Sequence, residues 1–357
     1  MDPRPGATTP SPSPSPESVL GEDQSEPGGA AVVAPPDPEG RPASRVWAIS
    51  AQYGVVFALV LLVVMFSILL PDTFPTLGNA RTIVNSSAVV LVLALAATLP
   101  LRGGGFDLSI AGTMVVSAGL VAKLTSGGTP WGLTLVAVLV VGLAIGALNA
   151  FLIVRMGLDG FVVTLGTLTA LEGVALAISN GEILTGVSAP VISIATYQVF
   201  GIQAMTYYAW ILVAVLWYVY NRTPAGRYLL FVGGSPDASK LAGLPVTRIR
   251  TLALMSAGLL SAFAGFLLAG SFGAVDTSIA GQYLLQPYAA AFLGATTIAV
   301  GRFNAIGTLI GLYLLLVGIA GLQLYGATEW ATSLFNGCAL VAAITFAKLA
   351  ANRRGRA

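Results

Sequence analysis

The chain has 357 residues, 56% of them apolar and 9% charged; an ordinary soluble domain carries about a quarter charged residues, and that class is excluded. There is no histidine and a single cysteine, Cys338. These absences remove the commonest acid–base group and metal ligand, any internal disulfide and any cysteine metal site, so enzyme chemistry, a cofactor and a metal ion are not expected. The net charge of +2 gives no sign of a nucleic-acid partner, and the placement of the charges carries more than their sum.

Residues 1–45 combine Pro-Ser repeats (Pro10 to Pro16), acidic residues (Glu17, Glu22, Asp23, Glu26) and Pro35-Pro36. Such a composition cannot bury a core, so a disordered, Pro/Ser-rich cytoplasmic tail is expected. From there to residue 350 the chain reads as one membrane domain. Apolar runs of membrane-crossing or re-entrant length fall near 51–70, 83–101, 106–124, 132–154, 161–179, 205–220, 251–271, 284–301, 305–324 and 329–348. A span needs roughly 20 mostly apolar residues, and backbone groups in lipid must be satisfied within the segment, so the spans should be helices. The expected fold is an all-α polytopic bundle of about ten spans, some of them broken or re-entrant.

The third span opens with Gly103-Gly104-Gly105 and carries Asp107. An ionised carboxylate at membrane depth is expensive and should face protein or a water-filled cavity; non-helical backbone is tolerated there under the same condition. Two compatible readings stand. Residues 103–109 form a broken element beside a translocation path, with Ser109 supplying a hydroxyl, or Asp107 caps the third helix.

In the fifth span Thr164, Thr167 and Leu171 share a helical face, and Glu172 follows. Hydroxyl residues at this spacing serve helix packing or hydrogen bonding to a polar solute. Gly258, Gly265 and Gly270 in the seventh span, and Gly307, Gly311, Gly318 and Gly321 in the ninth, read as small-residue packing seams.

Segment 221–250 holds five cations, Arg222, Arg227, Lys240, Arg248 and Arg250, against the single acid Asp237. Within it a short helix is expected, with Pro236 in its first turn, Asp237 at the positive end of the dipole and Gly243 as its stop. It serves as a docking element or merely as a loop that orients the chain. The run from Gly233 to Lys240 is no phosphate loop, because Lys240 lacks a preceding glycine and is followed by Leu241. If an N-terminus in the cytoplasm is followed by alternation, Arg102, Arg155, the 221–250 cations, Arg302 and the C-terminal Lys348, Arg353, Arg354 and Arg356 fall inside. Asp72, Glu182, Asp276 and Glu329 fall outside with only Arg81 and Lys123. That is a positive-inside pattern with both termini cytoplasmic, residues 351–357 forming a basic tail.

Four stretches carry a resemblance to a known family. They are Gly103-Gly104-Gly105-Phe106-Asp107-Leu108-Ser109; Asn149-Ala150-Phe151-Leu152-Ile153 with Phe161-Val162-Val163-Thr164-Leu165-Gly166-Thr167; Thr223-Pro224-Ala225-Gly226-Arg227 through Gly233-Gly234 to Ala242-Gly243; and Leu293-Gly294-Ala295-Thr296-Thr297 with Gly301-Arg302 and Gly307-Thr308. In order and spacing they resemble the sugar-type permeases of bacterial ABC importers, the group that carries ribose, xylose, arabinose and galactose. The chain departs from that pattern at Asp159-Gly160, where a proline pair is usual, and at Asp237, Ser239, Glu172, Ala295 and Asn304.

The resemblance implies an inner-membrane permease subunit that imports a monosaccharide or similar small polar solute. It implies docking of a cytoplasmic ATPase on Pro236, Asp237, Ala238, Ser239, Lys240, Leu241 and Gly243. It further implies an extracytoplasmic solute-binding protein and a second permease subunit, either another copy or a paralogue. Asp107, Ser109, Asn149, Phe161, Thr164, Thr167, Glu172 and Thr296 become the candidate path residues. The alternative is an ion-coupled secondary transporter with Asp107 and Glu172 as its ion sites.

Overall fold

The structure, a computed structural model, describes residues 45–354. Apart from Arg45 and residues 351–354, the expected tails over 1–45 and 351–357 lie outside the described residues. The chain is mostly helical: α1 (Arg45–Leu69), α2 (Leu77–Arg102), α3 (Ser109–Ser126), α4 (Trp131–Ala150) continuing as a π-helical turn (Phe151–Arg155), α5 (Gly160–Ser179), α6 (Ala189–Thr196), α7 (Ala204–Arg222), α8 (Pro224–Gly234), α9 (Pro236–Leu241), α10 (Val246–Phe272), α11 (Leu285–Ala295), α12 (Ala305–Leu324) and α13 (Glu329–Arg354). Among the described residues six helices are long and apolar enough to cross a membrane: α2, α3, α4 with its continuation to Arg155, α5, α10 and α12. In α1 and α13 the described apolar stretches, Tyr53–Leu69 and Trp330–Ala342, are shorter.

The centre of the bundle is α2, α3 and α10. A helix that is apolar all round belongs in the interior, and α2 is buried at every position from Ser87 to Arg102. Against this core α10 packs on α4, α3, α2 and α6, while α5 leans on α3, α7 on α2, and α11 on α12 and α13. Lipid removes most of the hydrophobic drive between helices, so close backbone approach must supply the attraction. The glycines do this. On the α4–α10 seam a Cβ at Gly142 would meet the Gly258 carbonyl, and one at Gly146 would stand 2.6 Å from the Leu254 oxygen. Gly265 fits against Met114 and Ser117 of α3, and Gly294 of α11 against Gly307 and Thr308 of α12. The faces left open on α1, α4 and α5 are apolar, as Phe57, Ile68, Leu133 and Val162 illustrate.

Each of the ten predicted segments contains a helix, but the helix of the eighth is too short to cross a bilayer by itself. α11 has 11 residues, a rise of about 16 Å at 1.5 Å per residue, against a hydrocarbon core of about 30 Å. Asn304 ends it: the Asn304 amide nitrogen donates to the carbonyls of Gly294 (2.9 Å) and Thr297 (3.2 Å), and its oxygen accepts from the Gly307 N–H (2.6 Å), opening α12. The apolar Ile298, Ala299 and Val300, which lengthen the run in hydropathy, form the intervening turn, with Ile298 in the left-handed region at φ 59°. Between α5 and α7, where no element was predicted, lie α6 and three two-residue strands. β1 (Leu184–Thr185) pairs antiparallel with β4 (Ala274–Val275), and β2 (Gln198–Val199) with β3 (Ile202–Gln203).

Candidate translocation path and coupling site

The polar interior of the bundle is built at the break between α2 and α3. Backbone hydrogen bonds close the glycine run onto the end of α2, Gly104 N–H to the Leu101 carbonyl at 3.2 Å and Gly105 N–H to the Pro100 carbonyl at 2.9 Å. Gly104 takes φ +74°, which L side chains rarely adopt. Phe106 and Asp107 lie outside any helix or strand. Asp107 is fully buried, and one carboxylate oxygen accepts from both the N–H (3.1 Å) and the hydroxyl (2.5 Å) of Ser109. The backbone is broken at 103–108, and Asp107 bonds the first amide of α3.

From Ser109 a chain of hydrogen bonds crosses two more helices. The Asn149 amide on α4 donates to the Ser109 hydroxyl at 2.7 Å, and the Thr167 hydroxyl on α5 lies 2.8 Å from the Asn149 carbonyl oxygen. Tyr288 on α11 donates to the Asp107 carbonyl at 2.7 Å, and its ring stacks on Phe106 at 5.3 Å. The second carboxylate oxygen of Asp107 is buried and has no hydrogen-bond partner among the described residues. Asp107, Ser109, Asn149 and Thr167 thus form one connected network. Thr164 is buried beside it but bonds its own helix, at the Gly160 carbonyl (2.8 Å). Thr296 likewise bonds the Leu293 carbonyl (2.8 Å), and Glu172 makes no hydrogen bond or ion pair among the described residues.

Phe161 lines a separate cavity of about 270 Å³ with Gly103–Gly105, Phe106, Asp159, Gly160 and Arg250. Asp159, which replaces a proline of the related pattern, caps α5: its carboxylate accepts from the Val162 N–H at 3.0 Å.

The basic segment folds as two short helices. Thr223 caps α8, and its glycine end lies directly against the α2–α3 break, where a Cβ at Gly104 would stand 3.0 Å from the Gly233 carbonyl oxygen. Ser235 then caps α9, accepting from the Ala238 N–H at 3.3 Å, with Pro236 at its first turn and Asp237 3.2 Å from Lys240. Ser239 is buried and anchors the back of α9 to the Ser235 carbonyl at 2.8 Å, while Asp237, Ala238, Lys240 and Leu241 face outward, Leu241 being 92% exposed. Gly243 turns the chain away at φ +77°.

Arg102 had only been assigned to a cytoplasmic loop, yet it is buried. Its guanidinium donates to the carbonyls of Phe303 (2.5 Å) and Tyr220 (3.3 Å) and lies over the Tyr220 ring at 4.5 Å. It thereby ties the ends of α2 and α7 to the turn before α12. Its place immediately before the glycine run was the one signal in the sequence that pointed to it.

A family profile described as branched-chain amino acid transport system / permease component matches residues 79–344. The ribose import permease protein RbsC of Haemophilus influenzae is 30% identical over 258 residues, 71% of this chain and 80% of that protein. The fructose import permease protein FrcC of Rhizobium meliloti is 32% identical over 302 residues, 81% of this chain and 83% of that one. The D-allose transport system permease protein AlsC of Escherichia coli is 26% identical over 261 residues, 73% and 80% respectively. No solved structure matches the chain.

Proposed function

The chain belongs to the branched-chain amino acid transport system / permease component family, and from that premise we propose that it carries a monosaccharide inward across a bacterial inner membrane as the permease subunit of an ABC importer. The observation that carries this reading is the length of the match. Relatives named for ribose, fructose and allose align over most of the chain, and the family match over residues 79–344 takes in the α2–α3 break, the polar network and the basic segment together. The ion-coupled alternative has no comparable support.

On this reading Pro236–Leu241 with Gly243 is the surface that a cytoplasmic ATPase grips, and ATP is hydrolysed on that separate subunit. A solute-binding protein delivers the sugar from the other side, and a second permease subunit completes the pathway. Ten membrane segments alternate, α11 with the turns flanking it making one broken crossing, and both termini are cytoplasmic. Residues 1–45 and 351–357 are cytoplasmic tails of the 46–350 permease domain, with 221–250 as its coupling loop. The network Asp107–Ser109–Asn149–Thr167 borders the path, with Phe161, Thr164, Glu172 and Thr296 along it. Nucleotide-driven motion of the ATPases must bind two states of the permease unequally to switch access, and the α9 surface is where that difference is applied.

The test is uptake of labelled D-ribose, D-fructose and D-allose into proteoliposomes holding the chain with its ATPase and binding protein. ATP-dependent uptake of at least one is expected. Accumulation driven by an ion gradient without ATP would overturn the assignment.

A further inference from the structure

The cavity beside the α2–α3 break has a chemistry that the polar network does not use. Glycine backbone lines it, at Gly103 to Gly105 and at Gly160, where an added Cβ would stand 3.7 Å from the Phe106 carbonyl oxygen. The Arg250 guanidinium reaches over Gly105, where an added Cβ would stand 3.6 Å from its Nη2. Arg250 has no hydrogen bond or ion pair among the described residues. Asp159 spends one carboxylate oxygen on the Val162 amide and leaves the other open. The two charges share the cavity without pairing with each other. Phe106 and Phe161 supply exposed aromatic surface at the same mouth.

A few fixed polar groups set among apolar and aromatic surface is the usual composition of a small-molecule site. A fork of donors and a carboxylate acceptor lining one cavity suit vicinal hydroxyls, which both donate and accept, and charge-assisted bonds of this kind are the strong ones. The aromatic rings suit the apolar face of a sugar ring. One cation against one anion leaves no net charge, so an anionic or cationic solute would gain one partner and be repelled by the other. The volume of about 270 Å³ is at the lower edge of small-molecule pockets, roughly 300 Å³ and upward, and suits a single ring.

We propose that this cavity is a solute site on the coupling-loop side of the pathway, in which Arg250 and Asp159 hydrogen-bond the hydroxyls of one neutral monosaccharide. The proposal rests on the monosaccharide reading above. Its glycine floor is the same loop that Gly233 of α8 touches, so displacement of α9 reshapes the site and expels the sugar.

The experiment uses the full chain in the reconstituted importer, comparing wild type with Arg250→Gln, Asp159→Asn and Arg250→Lys, and D-ribose, D-fructose and D-allose as probes. Arg250→Gln and Asp159→Asn should each lower the maximal uptake rate by roughly tenfold or more, the scale for losing a charge-assisted hydrogen bond. The half-saturating concentration, set by capture of solute on the far side, should not move, and Arg250→Lys should recover part of the rate. Direct binding of the tritiated transported sugar to the chain in nanodiscs, without binding protein, should be saturable in wild type and lost in Arg250→Gln and Asp159→Asn. Thermal unfolding of each variant identifies any that fail to fold, and for those the Lys variant and the wild-type binding measurement decide. If wild type takes up none of the three sugars, the monosaccharide reading fails. If wild type takes one up and both substitutions leave rate and binding unchanged, or reduce rate while binding persists, the site alone is overturned.

Discussion

Asn149 is the residue on which the polar interior turns, because it both donates to Ser109 and accepts from Thr167. Interhelical hydrogen bonds in membrane proteins average about 0.6 kcal/mol by double-mutant cycles. Removing one side of a buried pair adds the desolvation of the group left behind, which places Asn149→Ala at about 1–3 kcal/mol of lost stability. Denaturant titration in mixed micelles measures it, and a midpoint equal to wild type would show that the network contributes nothing to stability. Asp107 and the hydroxyl residues were legible at this scale because polar groups are costly in lipid, and the glycines because a run of three interrupts a helix. Arg102 was not. A cation at a helix end looks the same in sequence whether it is solvated or folded back onto carbonyls, and only the positions of Tyr220 and Phe303, more than a hundred residues away, decide.

Among the elements, the contact between α8 and the α2–α3 break is backbone on backbone. A Cβ at Gly233 would collide with the Arg102 carbonyl and stand 3.0 Å from the Gly104 nitrogen. Gly233→Ala therefore has to pry α8 from the glycine loop, and overpacking of this kind costs about 1–3 kcal/mol. The expected outcome in the reconstituted importer is ATP hydrolysis that persists while uptake falls several-fold; full uptake by the variant would mean that the contact transmits nothing. The short helix α9 was readable in advance because proline, aspartate and glycine each mark a helix terminus. The preceding α8 was not, since its caps are Thr223 and Ser235 and it ends on a pair of glycines inside a stretch that reads as loop. The eighth segment misled for a different reason: hydropathy sums Ile298 to Val300 into the run, whereas an asparagine nine residues past the end of the Leu285–Ala295 helix closes it by side-chain bonds that hydropathy cannot register.

At the scale of the whole molecule, membership of the bundle was read from apolar length, and sidedness from charge. Leu241 on α9 and Phe200 in the β2–β3 turn, 92% and 89% exposed, offer a direct test of sidedness. In a Cys338→Ser background, a membrane-impermeant maleimide should label Phe200→Cys in intact spheroplasts and Leu241→Cys only in inverted vesicles. Labelling of both from one face would overturn the alternation of segments. The small sheets and α6 near Phe200 escaped the sequence reading because two-residue strands leave no periodicity to detect.

The meeting of Gly233 with Gly104 constrains inheritance as well as motion. Neither position can gain even a methyl group without parting a loop from a helix end far away in the sequence. Lineages of this permease should therefore keep both glycines together or replace the whole junction at once, and a comparison of many such chains would find the pair present or absent as a unit.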